Sequence, residues 1–189
     1  MNRKAVVVVL FSVIFGARGL FAQQVVTWHL ALLKEGKGLP FENNTPVNLN
    51  NGDKFRIELY ADKDCYAYIL VEQASGAMHA FESRYLKAEE KMTTDEIDLS
   101  SHGQEKFFVV VSYAKQEALQ RAIDAYNNDR NPENNTNLLT RLSEIRDRER
   151  PGKPTAFGGI AGSIRDPDAP LATEYSGSAA YKKIIIISH

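Results

Sequence analysis

Apolar and polar residues alternate strictly across residues 54–60, where Phe55, Ile57 and Leu59 interleave with Lys54, Arg56 and Glu58. A period of two predicts a strand with one face in the core and the other in water. Asp62-Lys63-Asp64 ends this run with turn-favouring residues. Residues 65–71 then form a run apolar on both parities, with Tyr66, Tyr68 and Leu70 on one side and Cys65, Ala67, Ile69 and Val71 on the other. A strand of that kind belongs in the middle of a sheet with a covering layer on each face. Ser75-Gly76 marks a second turn, and residues 77–81 read as a short returning strand. Two turns this short predict antiparallel hairpins on both sides of the central run.

The same reading extends along the chain. Residues 24–34 place Val26, Trp28, Leu30 and Leu32 on one face and Thr27 and His29 on the other, which predicts the first strand. Residues 35–51 are a polar connection ending in Asn50-Asn51-Gly52-Asp53, a strong turn signal. After Phe81, residues 82–94 are charged and read as loop, with Ile97 and Leu99 on a short edge strand. Residues 106–113 (KFFVVVSY) are dense in aromatic and β-branched side chains and predict a firm strand. The period then changes to that of a helix, with Ala118, Leu119, Ala122, Ile123 and Tyr126 on one stripe. A break around Pro132 precedes a second helix, with its cap expected at Thr136 or Asn137 and with Leu138, Leu139, Leu142 and Ile145 on its apolar face. Its charged face, from Arg141 to Arg150, reads as solvated. Residues 151–173 carry four prolines and four glycines and read as a long loop, and residues 181–188 (YKKIIIIS) as the last strand. The expected fold is therefore mainly β: an antiparallel, immunoglobulin-like β-sandwich with a two-helix insertion, about residues 114–150, before the last strand.

The first residues add an address. Arg3-Lys4 precede an apolar run over residues 5–15 and a small residue at Ala22, the layout of a secretory signal peptide. The apolar run is shorter than the roughly 20 residues of a spanning helix, so residues 1–22 are expected to be cleaved and residues 23–189 to form a single domain. No cysteine lies near the cleavage region to carry a lipid. Removing the leader leaves 20 basic and 24 acidic residues. A net charge of about −4 argues against nucleic acid or an anionic membrane surface as partner. The expected location is periplasmic or extracellular. Cys65 is the single cysteine, so the chain cannot close an internal disulfide, and its two-sided apolar strand predicts a buried, inert thiol.

The order of elements resembles the bacterial family called domain of unknown function 4384. The resemblance rests on Gly52-Asp53 opening a strand of alternating charge, a polar turn, and the strand Tyr66-Ala67-Tyr68-Ile69-Leu70. It continues with the Ser75-Gly76 turn, a short strand ending near Phe81 and the strong strand over residues 107–112. It covers roughly residues 25–113, and the two helices and the Pro/Gly-rich loop depart from it. It implies an exported, immunoglobulin-like sandwich and assigns no catalytic residue.

The chemistry-bearing residues form no motif. His29, His79, His102 and His189 lack the short-range spacing of metal ligands. Asp62-Lys63-Asp64 lacks the later glycine and glutamate of a calcium loop. No G-x-S-x-G elbow is present, and Gly152-Lys153-Pro154-Thr155 has a proline where a phosphate loop needs a helix start. The N-x-T matches at Asn43 and Asn134 are of a kind frequent by chance in asparagine-rich loops. The sequence therefore assigns no catalytic, cofactor-binding or metal-ligating residue and implies no cofactor. Its first functional reading is a non-enzymatic cell-envelope module that binds a protein or a surface glycan. Its alternative is a hydrolase or small-ligand-binding protein whose site gathers His79, Tyr85, Asp95 and His102 at one end of the sandwich. If a binding surface exists, residues 114–173 are the expected place, because a long loop of this kind is usually functional or disordered.

Strand parity predicts Trp28, Phe55, Ile57, Leu59, Tyr68, Leu70, Phe107, Val109, Val111 and Ile186 inside, and Lys54, Arg56, Glu58 and Lys182 in water. The export reading carries its own test. N-terminal sequencing of protein isolated from its native cells should begin near Gln23, and retention of Met1 would refute it.

Overall fold

A computed structural model describes residues 26–41, 45–99, 103–147, 154–156, 171–177 and 181–189. The expected signal peptide, His102, Asn43 and most of the Pro/Gly-rich loop lie outside them. The described strands form two facing sheets, and a pair of helices covers the outer side of one of them, giving three layers. The chain is a mainly β sandwich with a two-helix insertion.

The first sheet is built on β1 (Val26–Lys34) and β4 (Lys54–Ala61), paired antiparallel from Trp28↔Ala61 to Leu33↔Arg56. Glu35 and Gly36, both at positive φ, turn β1 back into β2 (Lys37–Leu39), a two-residue hairpin of the primed type that suits strand twist. The other edge of β4 is shared by β7 (Lys91–Thr93) and β8 (Ile97–Asp98). Between them Thr94 exchanges two hydrogen bonds with the Ile57 backbone, at 3.0 Å each. On the far side β1 pairs with β12 (Leu171–Gly177), which pairs in turn with β11 (Pro154–Ala156). Both of these strands begin inside the stretch expected to be loop. Proline and glycine dominate its composition, but β11 is an edge strand, where a proline is tolerated.

The second sheet runs β10 (Arg146–Asp147), β13 (Tyr181–Ser188), β9 (Gln104–Ser112), β5 (Cys65–Glu72), β6 (Met78–Leu86). Its pairings are antiparallel except at β13, which makes short parallel contacts with β10 and with β3 (Val47–Asn48). The Ile184–Ile187 run is thus paired with β9 throughout.

One hairpin of the expected pair is absent. β5 and β6 form a hairpin, closed by Gln73 and by Gly76 at φ 82°, but β4 and β5 lie in different sheets. The Asp62–Asp64 segment crosses the sandwich instead. Asp62 accepts from the Thr27 amide at 2.7 Å in the first sheet. Asp64 accepts from the Ala88 amide at 2.7 Å and from the Tyr85 hydroxyl at the end of β6. Each aspartate pins one end of the crossing to a different layer, which a hairpin turn would not require. β6 also extends through Leu86 rather than ending at Phe81, and its register slips by one residue opposite Ile69 and Leu70. That bulge broke the alternation on which the sequence reading depended.

Between the sheets, Trp28 stacks on Tyr175 at 4.5 Å and Phe55 meets Phe107 edge-on at 5.3 Å. The same core holds Ile57, Leu59, Val109 and Val111. Beneath the helices, Tyr68, Leu70, Phe108 and Val110 pack against Leu119, Ala122, Ile123, Tyr126, Leu138 and Leu142. The two parities of β5 and β9 therefore serve two separate cores. Helix α1 (Glu117–Asn128) has no side-chain N-cap, and the Tyr68 hydroxyl instead accepts the Gln116 amide at 3.0 Å. Helix α2 (Pro132–Glu144) is capped by Asn131, which accepts the Asn134 amide at 2.8 Å, not by Thr136 or Asn137. Pro132 suits the first helical position, where its missing N–H costs nothing, so the residue read as a breaker is the start.

Nine of the ten residues expected inside are buried, and Ile186 is half-buried. On β13 the core-facing residues are Lys183, Ile185 and Ile187, one position out of step with expectation. Lys182, expected in water, points under α2, and its ammonium donates to the carbonyls of Leu142 at 2.8 Å and Ile145 at 3.2 Å. These carbonyls lie at a helix C-terminus, where a cation is favoured, and Leu142 also accepts the Ile145 amide at 3.2 Å. Glu58 does face outward, as its parity requires, yet it is only 6 % exposed because β7 flanks it.

Two stability measurements follow. Leu59→Ala should cost about 2–5 kcal/mol in denaturant unfolding, and a loss below about 0.5 kcal/mol would contradict its fully buried position. Lys182→Met should leave Leu142 only its bond from the Ile145 amide and take the ammonium from the Ile145 carbonyl, costing about 1–3 kcal/mol, with faster amide exchange confined to the end of α2.

Candidate functional site

The outer faces of the two sheets differ in kind. The outer face of the second sheet is apolar and lies under the helices. The outer face of the first carries Lys54, Arg56, Glu58 and Tyr60 along β4, beside Leu33, Ala31 and His29 of β1. A cleft of about 500 Å³ opens there between the β1–β2 turn and the β4 edge. Its walls include three acidic and three basic side chains, Glu35, Glu58 and Glu96 with Lys54, Arg56 and Lys91, and Leu33 contributes an apolar patch.

Alternation along β4 is what sets these charges on one side, since residues two apart share a face. Within the cleft they form two groups. Glu58 Oε1 accepts from Lys91 Nζ at 2.8 Å and from the Thr93 hydroxyl at 3.2 Å, and its side chain is 8 % exposed. Glu96 is shared by Arg56 at 3.3 Å and Lys54 at 3.9 Å, all three being about half exposed. The first group is a fixed, partly desolvated pair. The second holds one carboxylate against two cations in contact with water, so it can exchange partners at little cost.

A second polar patch lies on the same face. His29 packs against Tyr60 at 5.6 Å between ring centres, opposite Glu174 on β12. Burial holds the His29 imidazole below its ordinary 6.5, and Glu174 and Asp62 partly oppose that. Burial, with Glu89 and Asp62 nearby, raises the Tyr60 phenol.

Of the four residues expected to gather at one end of the sandwich, the three described ones, His79, Tyr85 and Asp95, do not meet, and His102 lies outside the described residues. His79 and Tyr85 pair with Val71 and Tyr66 near opposite ends of β5, roughly 20 Å apart at the rise of a strand. Asp95 is exposed between β7 and β8, in the other sheet. His79 lies edge-on to Phe81 at 4.8 Å, and burial followed by Arg130 lowers its pKa. Tyr85 donates to Asp64, a bond that raises the phenol and lowers the carboxyl. The Asn134 side-chain amide donates to the Asp129 carbonyl at 2.8 Å, so it serves the entry to α2. Cys65 is fully buried, and its thiol is pushed up to about 12, first by burial and then by Asp62 and Asp64. Among the described residues, no group of three His, Cys, Asp or Glu side chains is placed to share a cation.

The cleft was not singled out from the sequence, although the alternating charges of β4 were its signal. What the sequence lacked was the partner strand that places Lys91 and Glu96 beside them. No family model matches the chain, and neither the curated proteins nor the solved structures contain a match.

The two lowered histidines give a pH test. A histidine whose folded pKa lies below 6.5 takes up its proton more readily when unfolded, so each subtracts stability as pH falls through that value. The denaturation midpoint should drop between pH 7.5 and pH 5.5, and His29→Asn should flatten the drop. An unchanged slope in His29→Asn would show that His29 does not contribute.

Proposed function

We propose that this chain is an exported, non-catalytic binding module of the cell envelope, and that it engages a protein or surface glycan through the outer face of its first sheet. The observation that carries this reading is the difference between the two outer faces. The helices account for one by covering it, while the other presents a concave surface on which two exposed cations, Lys54 and Arg56, share the single carboxylate of Glu96. Exposed, weakly held charges around a concavity favour steering and specificity of a partner. The signal-peptide pattern and the resemblance to the domain of unknown function 4384 family support the envelope part of the proposal. Of residues 114–173, which the sequence offered as the binding surface, the two helices have their apolar residues occupied by packing on β5 and β9, and most of the following loop lies outside the described residues. That leaves less reason to assign the helices recognition.

The hydrolase or small-ligand alternative gains no support from His79, Tyr85 and Asp95, which stand on separate parts of the two sheets. Affinity capture from the native envelope tests the proposal. Arg56→Glu combined with Lys54→Glu should abolish recovery of a partner captured by the wild-type chain, whereas Arg121→Glu on the exposed side of α1 should not. Recovery unchanged by the first pair and lost with the second would move the surface to the helices.

A further inference from the structure

The edge of the second sheet offers a different kind of surface. β6 is nine residues long and, among the described residues, pairs with a strand on one side only, β5. An open edge of this length is a template for another strand. Its first outward donor is closed, because the Met78 amide donates to Asn135 Oδ1 at 3.0 Å, while Asn135 Nδ2 donates to the Gly76 carbonyl at 3.1 Å. Past the bulge, from Glu82 to Leu86, no described residue covers the edge backbone with a hydrogen bond.

The charges on that free portion are arranged symmetrically. Glu82 and Arg84 flank Ser83 and lie on the same side of the strand, opposite Ile69 and Ala67. Both are more than a third exposed. Arg84 is held only loosely, 3.7 Å from Glu82 and 3.7 Å from Glu90, beyond hydrogen-bond reach of either. Charged side chains on the inner side of an edge strand oppose indiscriminate pairing. They are offset only by a strand that carries the opposite charges in register.

We propose that this strand is another copy of β6, and that the protein forms a two-fold dimer by antiparallel pairing about Ser83. In that register Glu82 of each copy lies directly opposite Arg84 of the other, on the same face, so the two pairs form twice. Directly opposed unlike charges stabilise an antiparallel pair and like charges destabilise it. The interface is isologous, as a closed dimer requires, and it joins the two second sheets into one. It uses no residue of the charged cleft, so it stands or falls separately from the partner reading above.

Sedimentation velocity on the purified protein, over a concentration series, tests this. The wild-type chain should show a concentration-dependent dimer. Arg84→Glu makes both residues acidic and Glu82→Arg makes both basic, and each alone should weaken self-association by about tenfold or more. An equimolar mixture of the two variants should recover the dimer, because each now meets its complement. A wild-type protein that stays monomeric, a dimer indifferent to both reversals, or a mixture that fails to associate would each overturn the proposal. Circular dichroism of each variant distinguishes lost pairing from lost folding. Should a reversal fail to fold, Ser83→Pro, which blocks an edge amide and leaves the charges alone, should also abolish the dimer.

Discussion

Two strands apolar on both faces dictate the architecture. β5 and β9 carry Ile69, Val71, Val109 and Val111 toward the first sheet and Tyr68, Leu70, Phe108 and Val110 away from it. A sandwich of two sheets satisfies only the first set. At roughly 25 cal/mol per Å² of apolar surface left in water, an uncovered outer face would be too costly for a domain of ordinary stability. The helical pair meets that requirement, which explains why it follows β9 directly and rests on β5 and β9.

Apolar burial chooses the layers but does not fix their alignment, because it has no direction. Single polar side chains supply that. Asp62 and Asp64 hold the crossing between sheets, the Tyr68 hydroxyl seats the start of α1, Asn135 ties α2 to the β5–β6 turn, and Lys182 closes the end of α2. Each bond joins two elements distant in sequence. Their partners are backbone groups, and where no second partner is at hand, removing the side chain costs the desolvation of the group left behind as well as the bond.

How far the sequence could be read follows from which of these effects is local. Alternation over residues 54–60 and the two-sided run over residues 65–71 are local, and both strands and their faces stand as read. The helices were visible from their stripes, but α2 began five residues earlier than expected because Pro132 was taken as a break. The hidden parts depend on long-range partners. Whether Asp62-Lys63-Asp64 closes a hairpin or crosses the sandwich depends on Thr27 and Ala88, neither of which its own composition reveals. β12 becomes a strand through β1, and β11 through β12, against a composition that favours loop. The cleft was hidden for the same reason, since its charges come from four segments.

The last strand shows how one sequence can serve both the folded and unfolded states. Residues 184–187 are four isoleucines, a run prone to pair with copies of itself when exposed. Lys182 and Lys183 stand immediately before it, and in an unfolded chain their two charges oppose such stacking. In the folded protein both are nearly inaccessible, at 5 % and 3 %, so they need compensation on opposite faces of the strand. Lys182 finds it at the end of α2. Lys183 lies with its ammonium 6.0 Å from the ring centres of both Phe41 and Tyr175, within reach of cation–π attraction. Two leucines at these positions would bury more easily and extend the apolar run to six residues, removing the charge that separates it from aggregation.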